Sequence, residues 1–460
     1  MIFKRAAPMN PATVIETIEV AALKIGMHIH LDGGWMSHPF PRSSFKITSL
    51  DEIATLRSLG LGCVRWSPQD SDVSPSTGRW DTASLAAARG LDGAVQPDLK
   101  TASPVGIAGS SAMEGSTAVS TRSEAASPAT SHRAALHAQR EALAECERQF
   151  SEAARASRLV FDSVANKPAL ALQGAQTLTH HLIHQMIGAE GVCIRLLSEA
   201  AGDKVTAHAV NVSVISLIMG RNFGLADDEM LDLGLGALLH DVGKLDIPER
   251  FRHRDEHHAF GEEKIYENHV AHGVAQARRM ALTAGATHVI AQHHELIDGS
   301  GFPLKLSMDR TTVMSRIVAI VNRYDNLCNP ANPGKSITPH EAVALLFAQG
   351  RSKYDPEILG AFIKMMGVYP AGSVVQLTDD RYALVVGSNF ARPLKPRVLV
   401  HEPGVPRDEA LILNLESAPG LGIRRSLKPL ALPERTLNYL SPRPRVSYFF
   451  EPTQEMEAIA

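Results

Sequence analysis

No two cysteines in this chain lie close together. Cys63, Cys146, Cys193 and Cys328 form no CxxC pair, which argues against a structural zinc site and against a disulfide framework, and favours reduced thiols used in packing. A charge excess is also missing. At a net charge of -3 the chain is no generally basic, nucleic-acid-coating protein, although a local basic pocket for a phosphorylated ligand remains compatible with it. The start, "MIFKRAAPMNPATVIETIEV", has no apolar signal core or small-residue cleavage site, and no run of about eighteen apolar residues occurs. The expectation is a soluble cytoplasmic protein. No internal repeat is found. What is present is length: 460 residues at 44% apolar and 21% charged are enough for two or three packed units.

The chain divides by composition. Within residues 15–72, "LKIGMHIHL" alternates like a strand and "LDEIATLRSLG" is spaced like a short helix, so a small α/β domain is expected. Residues 73–131, with "TASPVGIAGSSAMEGSTAVSTRSEAASPATS", are too small and polar to offset ordering entropy and read as a disordered linker. A long connecting helix is expected over 132–176. Its Leu136, Leu143 and Phe150 recur every seven residues, either packing on the same chain or forming a homodimer seam over 132–166. Residues 177–368 read as consecutive helices, and 369–460 as a β-rich extension with a hairpin around Asp379-Asp380 and a further strand in "RPLKPRVLVHE". The fold class is thus mainly α, with a small α/β domain before the bundle and β structure after it.

Histidines concentrate in the helical part: thirteen of twenty lie between His180 and His294. His208 shares a helical face with Val212, Ile215 and Met219, so it points toward the core. Leu231, Leu235, Leu238 and Val242 draw a stripe that His240 and Asp241 flank, and Gly243 follows. His269 lies on an apolar stripe with Ile265, and His293 and His294 are adjacent at a helix end. Singly, each is more often a satisfied core histidine. For His180, His181, His184, His253, His257, His258 and His288 that ordinary reading stands. Jointly, imidazoles and one carboxylate converging from several helices suit a transition metal, and two neighbouring sites can share Asp241. The run "HHELIDGSGFP" then leads into Gly299-Ser300-Gly301, a loop without bulk that lets phosphate oxygens approach backbone amides.

Together, "HDVGK" at 240–244, "HHELIDGSGFP" at 293–303 and "RIVAIVNRYDNL" at 316–327 resemble the HD-GYP family, a branch of the HD superfamily of metal-dependent phosphohydrolases. The block at 20–71 looks like the small domain of unknown function that precedes many such catalytic domains. The resemblance implies an HD-type helical bundle and hydrolysis of cyclic di-GMP to linear pGpG, GMP or both, in bacterial second-messenger signalling. It implies two divalent ions, iron or manganese, on His208, His240, Asp241, His269, His293 and His294, with Lys244 near the scissile phosphate and Asp241 shared. Substrate contacts carried over are Gly299, Ser300, Gly301, Phe302 and Lys335. No polymeric nucleic acid and no membrane insertion are implied; protein regulators fit a signalling enzyme.

Four stretches depart from the family. Asn322 replaces a ligand aspartate, a degenerate position that binds a cation more weakly. Phe302 replaces the signature tyrosine. Lys204 stands where members with a third metal carry glutamate, and "NPGK" at 332–335 leaves Lys335 alone where the family has a basic and aromatic stretch. These departures keep two alternatives open: a degenerate domain that binds cyclic di-GMP or a partner protein without cleaving it, and an HD hydrolase of another nucleotide.

Overall fold

The computed structural model describes residues 16–31, 44–47, 52–53, 56–57, 62–72, 128–187, 192–197, 203–253, 260–390 and 392–452. The expected linker lies outside these except for its last residues, as do His257 and His258. The N-terminal sheet and the chain from Ala129 onward are separate compact units.

The first unit holds an antiparallel sheet of β1 (Glu16–Glu19), β2 (His28–His30), β3 (Ser44–Lys46) and β4 (Cys63–Ser67), in the order β1-β4-β2-β3. Alternation sets its faces: Ile29 is buried between His28 and His30, and Val64 and Trp66 are buried on β4. Residues 52–53 and 56–57 are helical, with Ile53 and Leu56 turned into this core.

The second unit opens with α1 (Pro128–Val164) and α2 (Pro168–Ile187). The single helix expected over 132–176 is therefore two, because Pro168 lacks the amide needed to continue a helix and instead starts one. Leu136 and Phe150 of the heptad seam are buried, and Phe150 packs edge-on against Phe449 of the same chain. That seam is occupied from within.

A strand follows where only helix was expected: β5 (Val192–Leu196). Its main partner is the last strand among the described residues, and a pairing of that sequence separation leaves no local trace. Then come α3 (Lys204–Asn222), α4 (Asp227–Leu239), α5 (Phe260–Glu267), α6 (His269–Arg279), α7 (Ala284–Gln292), α8 (Val313–Cys328), α9 (Pro339–Gly350) and α10 (Pro356–Met366). Asp203 caps α3 by accepting from the Val205 and Thr206 amides at 2.9 and 3.1 Å. Helix α4 packs between α3 and α7, and α3 also meets α8. Val212, Ile215, Leu235, Leu238, Val289 and Val318 fill the shared core.

The extension contributes β6 (Val374–Leu377), β7 (Tyr382–Gly387), β8 (Arg397–Val400), β9 (Ile412–Asn414), β10 (Ile423–Leu427), α11 (Glu434–Leu440) and β11 (Tyr448–Pro452). The expected hairpin is β6–β7, turned by Asp380 at φ 70°. The sheet runs β10-β6-β7-β5-β11, with β8 and β9 continuing from β7. β5 and β11 thereby bind the extension to the helical bundle.

Candidate metal centre

Helix α4 ends at Leu239, and the next two residues sit at the centre of the bundle. His240 is fully buried and Asp241 nearly so. The following glycine explains how the chain gets there: a Cβ on Gly243 would lie 1.9 Å from the His269 carbonyl oxygen and 2.3 Å from the Gly273 amide. Only glycine lets this turn touch the start of α6.

Asp241 then divides its two oxygens between two groups of imidazoles. Its Oδ2 lies 3.7 Å from His208 Nε2 and 3.4 Å from His240 Nε2. Its Oδ1 lies 3.5 Å from His269 Nε2 and 3.7 Å from His293 Nε2, and has no hydrogen-bond partner although buried. His294 belongs to the second group.

Four of these rings, His208, His240, His269 and His293, are held by the other nitrogen. Nδ1 donates to Ala237 O from His240 at 2.8 Å, to Tyr266 O from His269 at 2.6 Å, and to Ile290 O from His293 at 2.8 Å. His208 Nδ1 donates to Asp325 Oδ2 at 2.6 Å. Four Nε2 lone pairs are thereby aimed inward. His208 and His240 face each other at 3.1 Å, His269 and His293 at 3.3 Å. Two lone pairs so close repel unless a cation lies against both. Donors bound to one ion at about 2.1 Å stand roughly 3.0–3.4 Å apart, which these separations match. The orphaned Oδ1, the facing nitrogens and the mixed nitrogen and oxygen set all fit divalent metal.

Electrostatics agree. Burial would raise the Asp241 carboxyl, but Lys244 at 2.6 Å and His240 hold it well below the usual range. Burial would lower the Lys244 ammonium, and Asp241 more than restores it. Burial pushes His269 down to about 3 and lowers His293, and burial with His293 and His269 beside it lowers His294. Neutral imidazoles beside an ionised carboxylate are the ligating forms.

The remaining candidate residues lie as follows. Phe302 stacks on His294, ring centres 4.4 Å apart, so its ring supports an imidazole. Gly301 is pressed on the His294 carbonyl, where a Cβ would come within 2.5 Å. The expectation of free amides in this loop is corrected at two positions: Gly299 N donates to Leu296 O, and both Ser300 N and its hydroxyl donate to Asp298 Oδ1. Asx-type closure has used them internally. Lys335 lies in an exposed turn, Pro333–Lys335. Asn322 is buried on α8, where its Oδ1 accepts from Asn326 Nδ2 at 2.5 Å. His180, His181, His184, His253 and His288 are exposed and stay outside the cluster.

Three further residues support the site. Asp325 is fully buried; besides His208 it accepts from Asn211 Nδ2 at 2.8 Å and Asn329 Nδ2 at 2.9 Å. It shares a helical face with Val318 and Asn322, which marks it in the sequence as able to reach the site, and it does so through His208. Glu295 is buried and accepts from the Leu304 and Leu306 amides, fixing the loop. Tyr266 places its ring near Lys244, His269 and Phe302, and no motif marks it.

Residues 191–358 match the HD domain, and residues 15–175 match a domain of unknown function, DUF3391. The chain carries an HD domain, the superfamily of metal-dependent phosphohydrolases that the HD-GYP resemblance pointed to, with DUF3391 ahead of it. The latter match spans what was read as domain, linker and connecting helix. Among curated proteins the chain is similar to a cyclic di-GMP phosphodiesterase of Pseudomonas aeruginosa, 27% identical over 396 residues, covering 84% of this chain and 85% of that protein. A cyclic di-GMP phosphodiesterase of Borreliella burgdorferi is 24% identical, covering 42% and 50% respectively. A 3'3'-cGAMP-specific phosphodiesterase of Vibrio cholerae is 30% identical, covering 35% and 31%. The chain thus spans most of the first relative and half or less of the other two.

Proposed function

We propose that this chain is a phosphodiesterase that hydrolyses cyclic di-GMP to linear pGpG, GMP or both, acting in the cytoplasm with two divalent ions, iron or manganese. His208, His240 and Asp241 would hold one ion, and Asp241, His269, His293 and His294 the other. The observation that carries this reading is Asp241, whose two oxygens each face a pair of inward Nε2 atoms. The choice of substrate draws on the Pseudomonas aeruginosa relative, named a cyclic di-GMP phosphodiesterase and aligned over 84% of the chain.

Divalent ions bound there lower the pKa of water and offset charge on the phosphoryl oxygens. The chain's own residues do the rest. Backbone carbonyls and Asp325 fix the imidazole tautomers, so the ligand set needs no reorganisation. Lys244, kept charged by Asp241, adds positive charge as the negative charge of the phosphoryl group grows. Phe302 and Tyr266 wall the His294 side.

The occupied Asn322 amide favours a second reading, a domain that binds the messenger without cleaving it. The Vibrio cholerae relative favours a different substrate, 3'3'-cGAMP. Time-resolved product analysis of a nucleotide panel, using metal-loaded wild type and His240→Ala, decides among them. Turnover of cyclic di-GMP lost in the variant is expected. Binding without turnover in the wild type would favour the second reading, and preference for 3'3'-cGAMP the third.

A further inference from the structure

The HD domain match ends at residue 358, yet the far end of the chain reaches the His208 side of the site. Val446 is held from both sides: its amide donates to Asn329 Oδ1 at 2.9 Å, and its carbonyl accepts from Asn329 Nδ2 at 2.8 Å and Asn211 Nδ2 at 3.1 Å. Tyr448 N donates to Asn211 Oδ1 at 3.1 Å. Asn211 and Asn329 are the same amides that hold Asp325, and Asp325 holds His208. The backbone that carries Arg445 is therefore fastened to the support of a candidate ligand.

Arg445 lines a cavity of about 60 Å³ together with Lys204 and His208. Lys204 stands one helical turn before His208 on α3. The carboxylate lining this cavity is Asp325, and its oxygens are already shared among His208, Asn211 and Asn329. The Lys204 and Arg445 side chains make no hydrogen bond or ion pair among the described residues. Burial, then Arg445 and Lys244, push Lys204 down to about 8, with Asp325 opposing them only in part. A metal at His208 would add charge of the same sign. Lys204 is half-buried and Arg445 exposed, so water offsets part of their repulsion; an anion between them would offset more, and the cavity has room for a few waters or a tetrahedral oxyanion group.

We propose that Lys204 and Arg445 form an anion subsite beside His208 that holds the phosphate of the cyclic dinucleotide not under attack. This rests on the phosphodiesterase reading above and gives the C-terminal extension a part in substrate binding. The subsite also supplies basic contacts of the kind that the "NPGK" stretch at 332–335 lacks.

The test uses the full-length, metal-loaded chain as wild type, Arg445→Gln, Lys204→Gln and Arg445→Lys. Inorganic phosphate binding is followed by calorimetry, and KM and kcat are measured for cyclic di-GMP. Loss of uniform binding predicts a KM raised about tenfold with kcat within about twofold. A phosphate-binding event should weaken by a similar factor in both glutamine variants, with Arg445→Lys retaining most of it and metal content unchanged. Unchanged phosphate affinity in both glutamine variants would overturn the subsite whatever the activity. So would loss of metal from Arg445→Gln, since that marks a structural role. If wild type leaves cyclic di-GMP intact but binds phosphate through Arg445 and Lys204, the subsite stands and the assigned substrate falls.

Discussion

Asp325 Oδ2 lies 2.6 Å from His208 Nδ1, and this fully buried carboxylate is the means by which His208 presents Nε2 to the site. Replacing it with a neutral amide leaves the shape and removes both the charge and the fixed tautomer. Loss of such an outer partner costs about 10- to 100-fold in metal affinity. Asp325→Asn should show that loss at one ion only, read by equilibrium dialysis against a competing chelator. Unchanged affinity would mean that Asp325 merely packs.

Gly243→Ala should be far more harmful than its size suggests. The added carbon would sit 1.9 Å from a backbone oxygen of His269, so the turn after α4 must separate from α6. A loss of about 2 kcal/mol or more in unfolding free energy is expected, within the range for forced backbone shifts. Denaturant titration measures it, and a change below about 0.5 kcal/mol would refute the close approach.

Acid should destabilise the metal-free protein. His269 is pushed to about 3 by burial, and His293 and His294 are lowered too, whereas an unfolded histidine titrates near about 6.5. Between those values the unfolded chain binds protons that the folded chain refuses. The stability is therefore complete above about pH 6.5 and declines as pH falls toward about 3. Asp241, with its lowered carboxyl, adds a loss of the same sign at still lower pH. Thermal unfolding from pH 8 to pH 5 should show Tm falling steadily below about 6.5; a flat profile would contradict the neutral histidine cluster.

Asn322→Asp restores a carboxylate on α8, three residues before Asp325. A charged oxygen binds a divalent ion better than an amide, so the variant should retain metal through dialysis longer than wild type. Equal retention would place residue 322 outside the coordination sphere.

Much of this site was legible because its ligands follow helical periodicity. His208 shares a face with Val212, Ile215 and Met219, and those three are buried as that spacing requires. His240-Asp241 closes an apolar helix, whereas the expectation of one helix across 132–176 passes over the break at Pro168. What stayed hidden depends on contacts between distant positions. β5 pairs with β11 across some two hundred and fifty residues, and Arg445 meets Lys204 at comparable separation. The amides of Gly299 and Ser300 looked free because a glycine loop is open by composition; Leu296 and Asp298 had claimed them by local hydrogen bonding.

The central claim is that one carboxylate, Asp241, joins two metal positions. Metal per chain should therefore be determined by elemental mass spectrometry for wild type and Asp241→Asn, each reconstituted anaerobically with iron or manganese. The account predicts two ions per wild-type chain and fewer than one in the variant. A wild type that takes up one ion, or a variant that keeps two, would contradict it.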